Sequence, residues 1–176
     1  MPAIVHLSLG SNLGQRQKQL RTAIEHLKQL GRVVSLSATY ETQPVELTDQ
    51  PWFLNCVLTL ETDKSPEQLL KGILTIEREM GRERTRKKGP RIIDIDILLF
   101  GEQIIQSPQL TTPHPAMHRR RFVLEPLAEI APEAQHPLLK KSVRELLAEL
   151  QDAQVVRRIP PSADDEPQAR DRATAG

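Results

Sequence analysis

A chain of 176 residues carrying 24 Lys and Arg against 23 Asp and Glu has a formal net charge of +1, so no global field gathers nucleic acid or an anionic membrane and electrostatic work must be local. The length suits one domain with a real core and is too short for two comfortable ones. Only 3% of residues are aromatic, so Leu, Ile, Val and Ala must build the core.

Residues 3 to 9 alternate as a strand does and lead to Gly10-Ser11-Asn12, which reads as a tight turn. Leu20, Ile24, Leu27 and Leu30 then recur at helical spacing. Val33 to Tyr40 and Phe53 to Leu60 read as strands, joined by "ETQPVELTDQPW", a long loop that is a first candidate for substrate contact. Ser65-Pro66-Glu67-Gln68 starts a helix through a capping box, with proline in the first turn, and Gly81 ends it. "RERTRKKGP" is a basic loop before the next strand. A short strand through Ile105 follows, then the Pro-rich, irregular "SPQLTTPHPAMH"; Ser142 with Glu145 marks a last capped helix carrying Leu146, Leu147 and Leu150. A single domain over 1–159 is expected, with a disordered tail over 160–176. The element order suggests an α+β, ferredoxin-like antiparallel sheet with flanking helices on one face.

The single Cys56 excludes an internal disulfide and fits a reducing compartment. No apolar span approaches membrane length, and Met1-Pro2-Ala3-Ile4-Val5 lacks a signal-peptide pattern. A cytoplasmic monomer with no membrane or nucleic-acid partner is expected.

The chemistry concentrates in "GPRIIDIDILLFG", residues 89 to 101. Asp94 and Asp96 lie two apart in a β-branched apolar run, so both carboxylates leave one face of the strand. Such a pair repels and loses solvation unless something positive lies between them. Hard oxygen ligands with no matching His or Cys point to Mg²⁺, and two aspartates can hold two ions. Arg82, Arg84, Arg86, Lys87, Lys88 and Arg91 precede the acids; together they suit a polyphosphate bridged by magnesium. A D-x-D at a strand end is also found simply solvated or paired with arginine, and a basic run is often only a solvated loop. Gly10-Ser11-Asn12 lacks the spacing of a phosphate loop. His114, between two prolines, suits a plain surface as well as a site. Phe53 and Phe122 suit a core, although Asn55, two residues after Phe53, would need partners there.

With these residues in view, the chain resembles the 6-hydroxymethyl-7,8-dihydropterin pyrophosphokinases of folate biosynthesis. The likeness runs through "LSLGSNLG", "TQPVELTDQPWFLN", "KKGPRIIDIDILLFG", "LTTPHPAMHRRRF" and "EPLAEIAPE", roughly residues 3 to 150. It implies a ferredoxin-like fold and transfer of the terminal pyrophosphoryl unit of ATP to the pterin's hydroxymethyl oxygen, leaving AMP. It further implies that Asp94 and Asp96 hold two Mg²⁺ ions, that Arg82 and Arg91 serve the chemical step, and that Arg84, Lys87 and Lys88 belong to a loop closing over ATP. Glu77, Arg91, Ile97, Leu110, Thr111, His114 and Arg120 fall at nucleotide positions; Thr42, Pro44, Val45, Phe53, Asn55 and Phe122 fall at pterin positions. Two rings can sandwich a flat heterocycle, and an amide matches its donor and acceptor edge. This chain departs from similar enzymes in a loop one residue shorter, in Lys88 where Trp is frequent, in Phe53 for Tyr, and in Gln109 and Pro115 for Arg and Tyr; Lys87 or Arg86 could each fill the Arg place.

Two rivals compete with this reading. A nucleotidyltransferase would pair Gly10-Ser11 with the D-x-D, but here the two are far apart in sequence. An RNA-binding module would use "RERTRKKGPR", yet it needs aromatic platforms, and the neighbouring carboxylates would repel a phosphate backbone.

Overall fold

A computed structural model describes residues 2–44, 50–81, 91–152 and 154–160. The elements are β1 (Ala3–Ser11), α1 (Arg16–Leu27), β2 (Arg32–Leu36), β3 (Tyr40–Thr42), β4 (Phe53–Thr62), α2 (Pro66–Glu79), β5 (Asp94–Phe100), β6 (Ile105–Gln106), β7 (Thr111–Thr112), a 3₁₀ turn (Met117–Arg119), α3 (Arg121–Ile130), β8 (Gln135–His136), β9 (Lys141–Ser142), α4 (Val143–Glu149) and β10 (Val156–Arg158). The main sheet is antiparallel, ordered β10-β3-β4-β1-β5, with β2 also on β4.

The segment expected as one strand over residues 33 to 40 is two strands on the same edge of β4. The break is chemical: Ser37 N–H donates to Val57 O, but Val57 N–H turns to Ser37 Oγ instead of a carbonyl. That side chain satisfies the amide while the backbone bends, so β3 resumes with Tyr40 opposite Asn55 and Thr42 opposite Phe53.

The helices cover both faces of the sheet, not one. Val5, Leu7 and Leu9 of β1, Leu58 and Leu60 of β4, and Ile95, Ile97 and Phe100 pack with α1 and α2 in one core. Val57, Leu98 and Leu99 pack with α3 and α4 in a second. A bulge at Leu98, between the pairs His6–Leu99 and Leu7–Ile97, places both leucines in the second core. An apolar patch on each face requires cover on each face.

Both capping boxes form. Ser65 Oγ accepts from Gln68 N–H while Gln68 Oε1 accepts from Ser65 N–H, and Ser142 and Glu145 do the same at α4. Helix α3 is not evident in the sequence. It has no side-chain cap, and Pro126 sits inside it, removing an amide that would bond the carbonyl of Phe122; the buried Val123, Leu124 and Leu127 hold it in place. The irregular stretch also contains β7, paired with β6. The tail expected to be disordered lies outside the described residues from 161 onward. No helix among the described residues is long and apolar enough to cross a membrane.

Candidate active site

Gly10-Ser11-Asn12 does not form the expected turn. β1 runs through Ser11, and Gly10 pairs with Asn55 on one side and Asp94 on the other. Glycine here serves close approach: a Cβ would lie 2.7 Å from Asn55 Oδ1 and 3.4 Å from Phe53 Cδ1. The missing side chain leaves room for the Asn55 amide, whose Nδ2 donates to Thr42 Oγ1 at 2.5 Å. Asn55 and Thr42 are both nearly inaccessible, at 4% and 2% exposure.

Strand alternation places Asp94 and Asp96 on this same face, opposite Gly10 and Ser8. Ile95 between them points into the first core. The two carboxylates, Gly10, Asn55, Phe53 and Thr42 therefore share one face at one end of the sheet. Phe122, in the first turn of α3, lies against the second core on that side, with the Arg120 guanidinium carbon 5.4 Å from its ring centroid.

Arg91 Nη1 donates to Asp94 Oδ2 at 2.9 Å, offsetting part of the acid pair's repulsion. Its backbone is held by Asn12, a residue the sequence reading passed over as part of a turn. Asn12 Oδ1 accepts from Arg91 N–H at 2.7 Å and Asn12 N–H donates to Arg91 O at 3.0 Å, while Asn12 Nδ2 donates to Gln50 Oε1 and Pro51 O. One buried amide thus joins the end of β1, the approach to β5 and the approach to β4. Its sequence signals are its place directly after a small-residue strand end and within "LSLGSNLG".

Among the described residues β5 is an edge strand, and a side chain and a backbone amide meet its outer edge. Glu77, expected at the nucleotide, is 3% exposed, and its Oε2 accepts from Ile95 N–H at 2.9 Å. His114 N–H donates to Leu98 O, and β7, with Thr111 at its start, runs beside the strand after Leu110. His114 and Leu110 thus lie along that edge with Thr111, while the side chain of Ile97 is buried in the first core, on the face away from the acids. Arg82, Arg84, Lys87, Lys88 and Val45 lie outside the described residues; Pro44 is buried after β3.

His114 Nδ1 accepts from Ala116 N–H, which leaves the proton on Nε2. Burial, with a smaller contribution from Arg120, lowers its pKa from 6.5 to about 4 against the opposing pull of Asp94. Burial alone lowers His6, whose Nδ1 lies 3.0 Å from Thr59 Oγ1, to about 4 as well. A histidine lowered on folding stays neutral while the unfolded chain takes up its proton below pH 6.5. Stability is therefore expected to fall as pH drops from 6.5 toward 4, by about 1.4 kcal/mol per pH unit for each such histidine. Urea unfolding at about pH 7 and pH 5 measures this, and an unmoved midpoint would exclude buried neutral histidines.

The donor set fits a hard divalent cation. Among the described residues no group of three or more His, Cys, Asp or Glu side chains could enclose a metal; two neighbouring carboxylates leave most coordination positions to phosphate oxygens and water, as Mg²⁺ prefers.

The fold is that of known pyrophosphokinase domains. It matches a crystal structure of Plasmodium falciparum HPPK-DHPS, wild type with pteroate, at a TM-score of 0.68 and 19% identity, covering 85% of this chain and 42% of that one. The chain belongs to the 7,8-dihydro-6-hydroxymethylpterin-pyrophosphokinase (HPPK) family, whose model matches residues 6–132. The 2-amino-4-hydroxy-6-hydroxymethyldihydropteridine pyrophosphokinase of Methylorubrum extorquens is 43% identical over 154 residues, 86% of this chain and 96% of that protein. The folic acid synthesis protein fol1 of Schizosaccharomyces pombe is 43% identical over 149 residues, 84% of this chain; the chain spans 20% of that longer protein.

Proposed function

We propose that residues 1–159 act as one pyrophosphokinase domain, a cytoplasmic monomer that transfers the terminal pyrophosphoryl unit of ATP to the hydroxymethyl oxygen of 6-hydroxymethyl-7,8-dihydropterin. The observation that carries this reading is the shared sheet face: the acid pair opens beside an amide, a hydroxyl and an aromatic ring that suit a flat, edge-polar heterocycle. The buried thiol of Cys56 fits the reducing setting.

In this reading Phe53 and Phe122 take the two faces of the pterin, and the Asn55 amide, oriented by Thr42, reads its edge. Fixing the heterocycle there directs its hydroxymethyl arm toward Asp94 and Asp96. The hydroxyl oxygen bonds to the β-phosphorus as the bond from that phosphorus to the α,β-bridging oxygen breaks; AMP leaves with the bridging oxygen, and the hydroxyl proton is released. Two Mg²⁺ ions, held by Asp94 and Asp96 and by phosphate oxygens, would neutralise polyphosphate charge and lower the pKa of the alcohol. Arg91 supplies fixed positive charge beside the acids, and no side chain is assigned as a dedicated base. His114, neutral with Nε2–H as a donor, suits an oxygen-rich ligand along the β5 edge, with Leu110, Thr111 and Arg120 on the nucleotide side. Arg82, Arg84, Lys87 and Lys88 would complete the phosphate contacts.

Incubation with ATP, Mg²⁺ and the hydroxymethyl dihydropterin should yield AMP in step with pterin pyrophosphate. Release of inorganic pyrophosphate would instead favour nucleotidyl transfer, and no nucleotide turnover at all would refute the assignment.

Gly10→Ala tests the pterin side. The new methyl must displace the Asn55 oxygen from a position tethered by Thr42, so the pterin KM is expected to rise about tenfold or more with the ATP KM nearly unchanged. Equal weakening of both substrates would place the damage in the sheet.

A further inference from the structure

The strand β10 lies outside the residues 6–132 that match the family, yet it touches both chain segments that flank the substrate loop. On the entry side it pairs with β3, opposing Val156 to Thr42 and Arg157 to Glu41. Gln43 N–H donates to Val155 O, and Gln154 Nε2 donates to Gln43 O at 2.7 Å. On the exit side the Arg157 guanidinium carbon lies 5.5 Å from the ring centroid of Trp52, while its Nη2 donates to Glu41 Oε1 at 2.7 Å. Arg16 contacts the same two residues, donating to Trp52 O at 2.7 Å and reaching Glu41 at 3.5 Å.

We infer that Arg157 is a positioning residue for the pterin side of the site, pinning Trp52 to Glu41 so that Phe53 keeps its place opposite Thr42 and beside Asn55. Trp52 directly precedes Phe53, and Glu41 directly precedes Thr42, so one guanidinium couples the two strands at the point where the ring and the amide must meet. The indole has somewhere to go without it: a cleft of about 480 Å³ opens beside it, bounded by Asn12, Gly14, Arg16, Glu41 and Pro51. Magnitudes separate this role from plain stabilisation. The Arg157 side chain is 66% exposed, so its ion pair and ring contact add little to folding, whereas a small displacement of a substrate-stacking ring weighs heavily on binding.

The inference rests on the pterin reading of Phe53, Thr42 and Asn55, and its test separates the two. In the full chain, Arg157→Ala is expected to raise the pterin KM about three- to tenfold, with kcat and the ATP KM within about twofold of wild type. Trp52 is the only tryptophan, so its emission reports the contact directly and should shift to the red in the variant. Arg157→Lys keeps a charge for Glu41 but loses the planar stack, and should fall between the two. A urea midpoint close to wild type is expected for both variants. An unmoved pterin KM, an equal rise for both substrates, or a fall in the urea midpoint that accounts for the lost activity overturns the positioning role. A wild-type protein that forms no AMP refutes the functional reading instead, and an unshifted Trp52 emission in Arg157→Ala then overturns the contact itself.

Discussion

Asp94→Ala and Asp96→Ala are each expected to lower AMP formation on the order of 10³-fold or more, because under the proposed reading each loss removes an ionic anchor for magnesium and with it several kcal/mol of charge stabilisation. Folding should barely change. The two acids stand side by side on one strand face, where like charges oppose pairing, so removing one relieves repulsion. For Asp94 that gain is set against the loss of the partly exposed Arg91 bond. Thermal unfolding should stay within a few degrees of wild type. Turnover is measured at saturating ATP and magnesium, and a variant that keeps more than about a tenth of the wild-type rate would remove the acid pair from the chemistry.

Asn12→Ala is expected to damage stability and turnover together. The substitution deletes three side-chain hydrogen bonds from a residue that is 1% exposed and leaves Arg91 N–H without its acceptor. A loss of about 2–4 kcal/mol in urea unfolding is expected. Arg91 and Asp94 would lose the fixed backbone that sets them against Asn55, so kcat per folded molecule should fall about 10²-fold. Asn12→Asp keeps the acceptor for Arg91 but loses both donated bonds to Gln50 and Pro51, and should lie between wild type and Asn12→Ala. Reduced stability with an unchanged kcat would restrict Asn12 to a structural role.

The parts of this fold that were legible in the sequence depend on neighbours in the chain. Ser65 with Gln68 and Ser142 with Glu145 close their capping boxes within one helical turn, so spacing alone reveals them. Alternation in the acidic strand likewise places Asp94 and Asp96 on one face. Family resemblance drew Thr42, Phe53, Asn55 and Phe122 into one group, and the structure brings Thr42, Phe53 and Asn55 together on the acid-pair face, with Phe122 on the same side. The same alternation turns the side chain of Ile97, next to Asp96, into the opposite core.

What stayed hidden depends on partners distant in sequence. Gly10 reads as a turn residue because glycine favours turns, but its role is to admit the side chain of Asn55, and only strand pairing reveals that need. Helix α3 escapes notice because Pro126 breaks the local signal, while burial against Val57 and Leu98 supplies the stability that local preference lacks. β10 is three residues long and carries no signal of its own; it becomes a strand because β3 offers an unpaired edge. The sequence by itself therefore determined the capped helices, the acidic strand and the kind of chemistry its residues suit. Only tertiary structure decided that both sheet faces are covered, that Asn12 joins three segments, and that Arg157 reaches Trp52. Capping and alternation are set by a few adjacent dihedral angles, whereas these contacts exist only after the sheet has brought together residues as distant in the chain as Glu41 and Arg157.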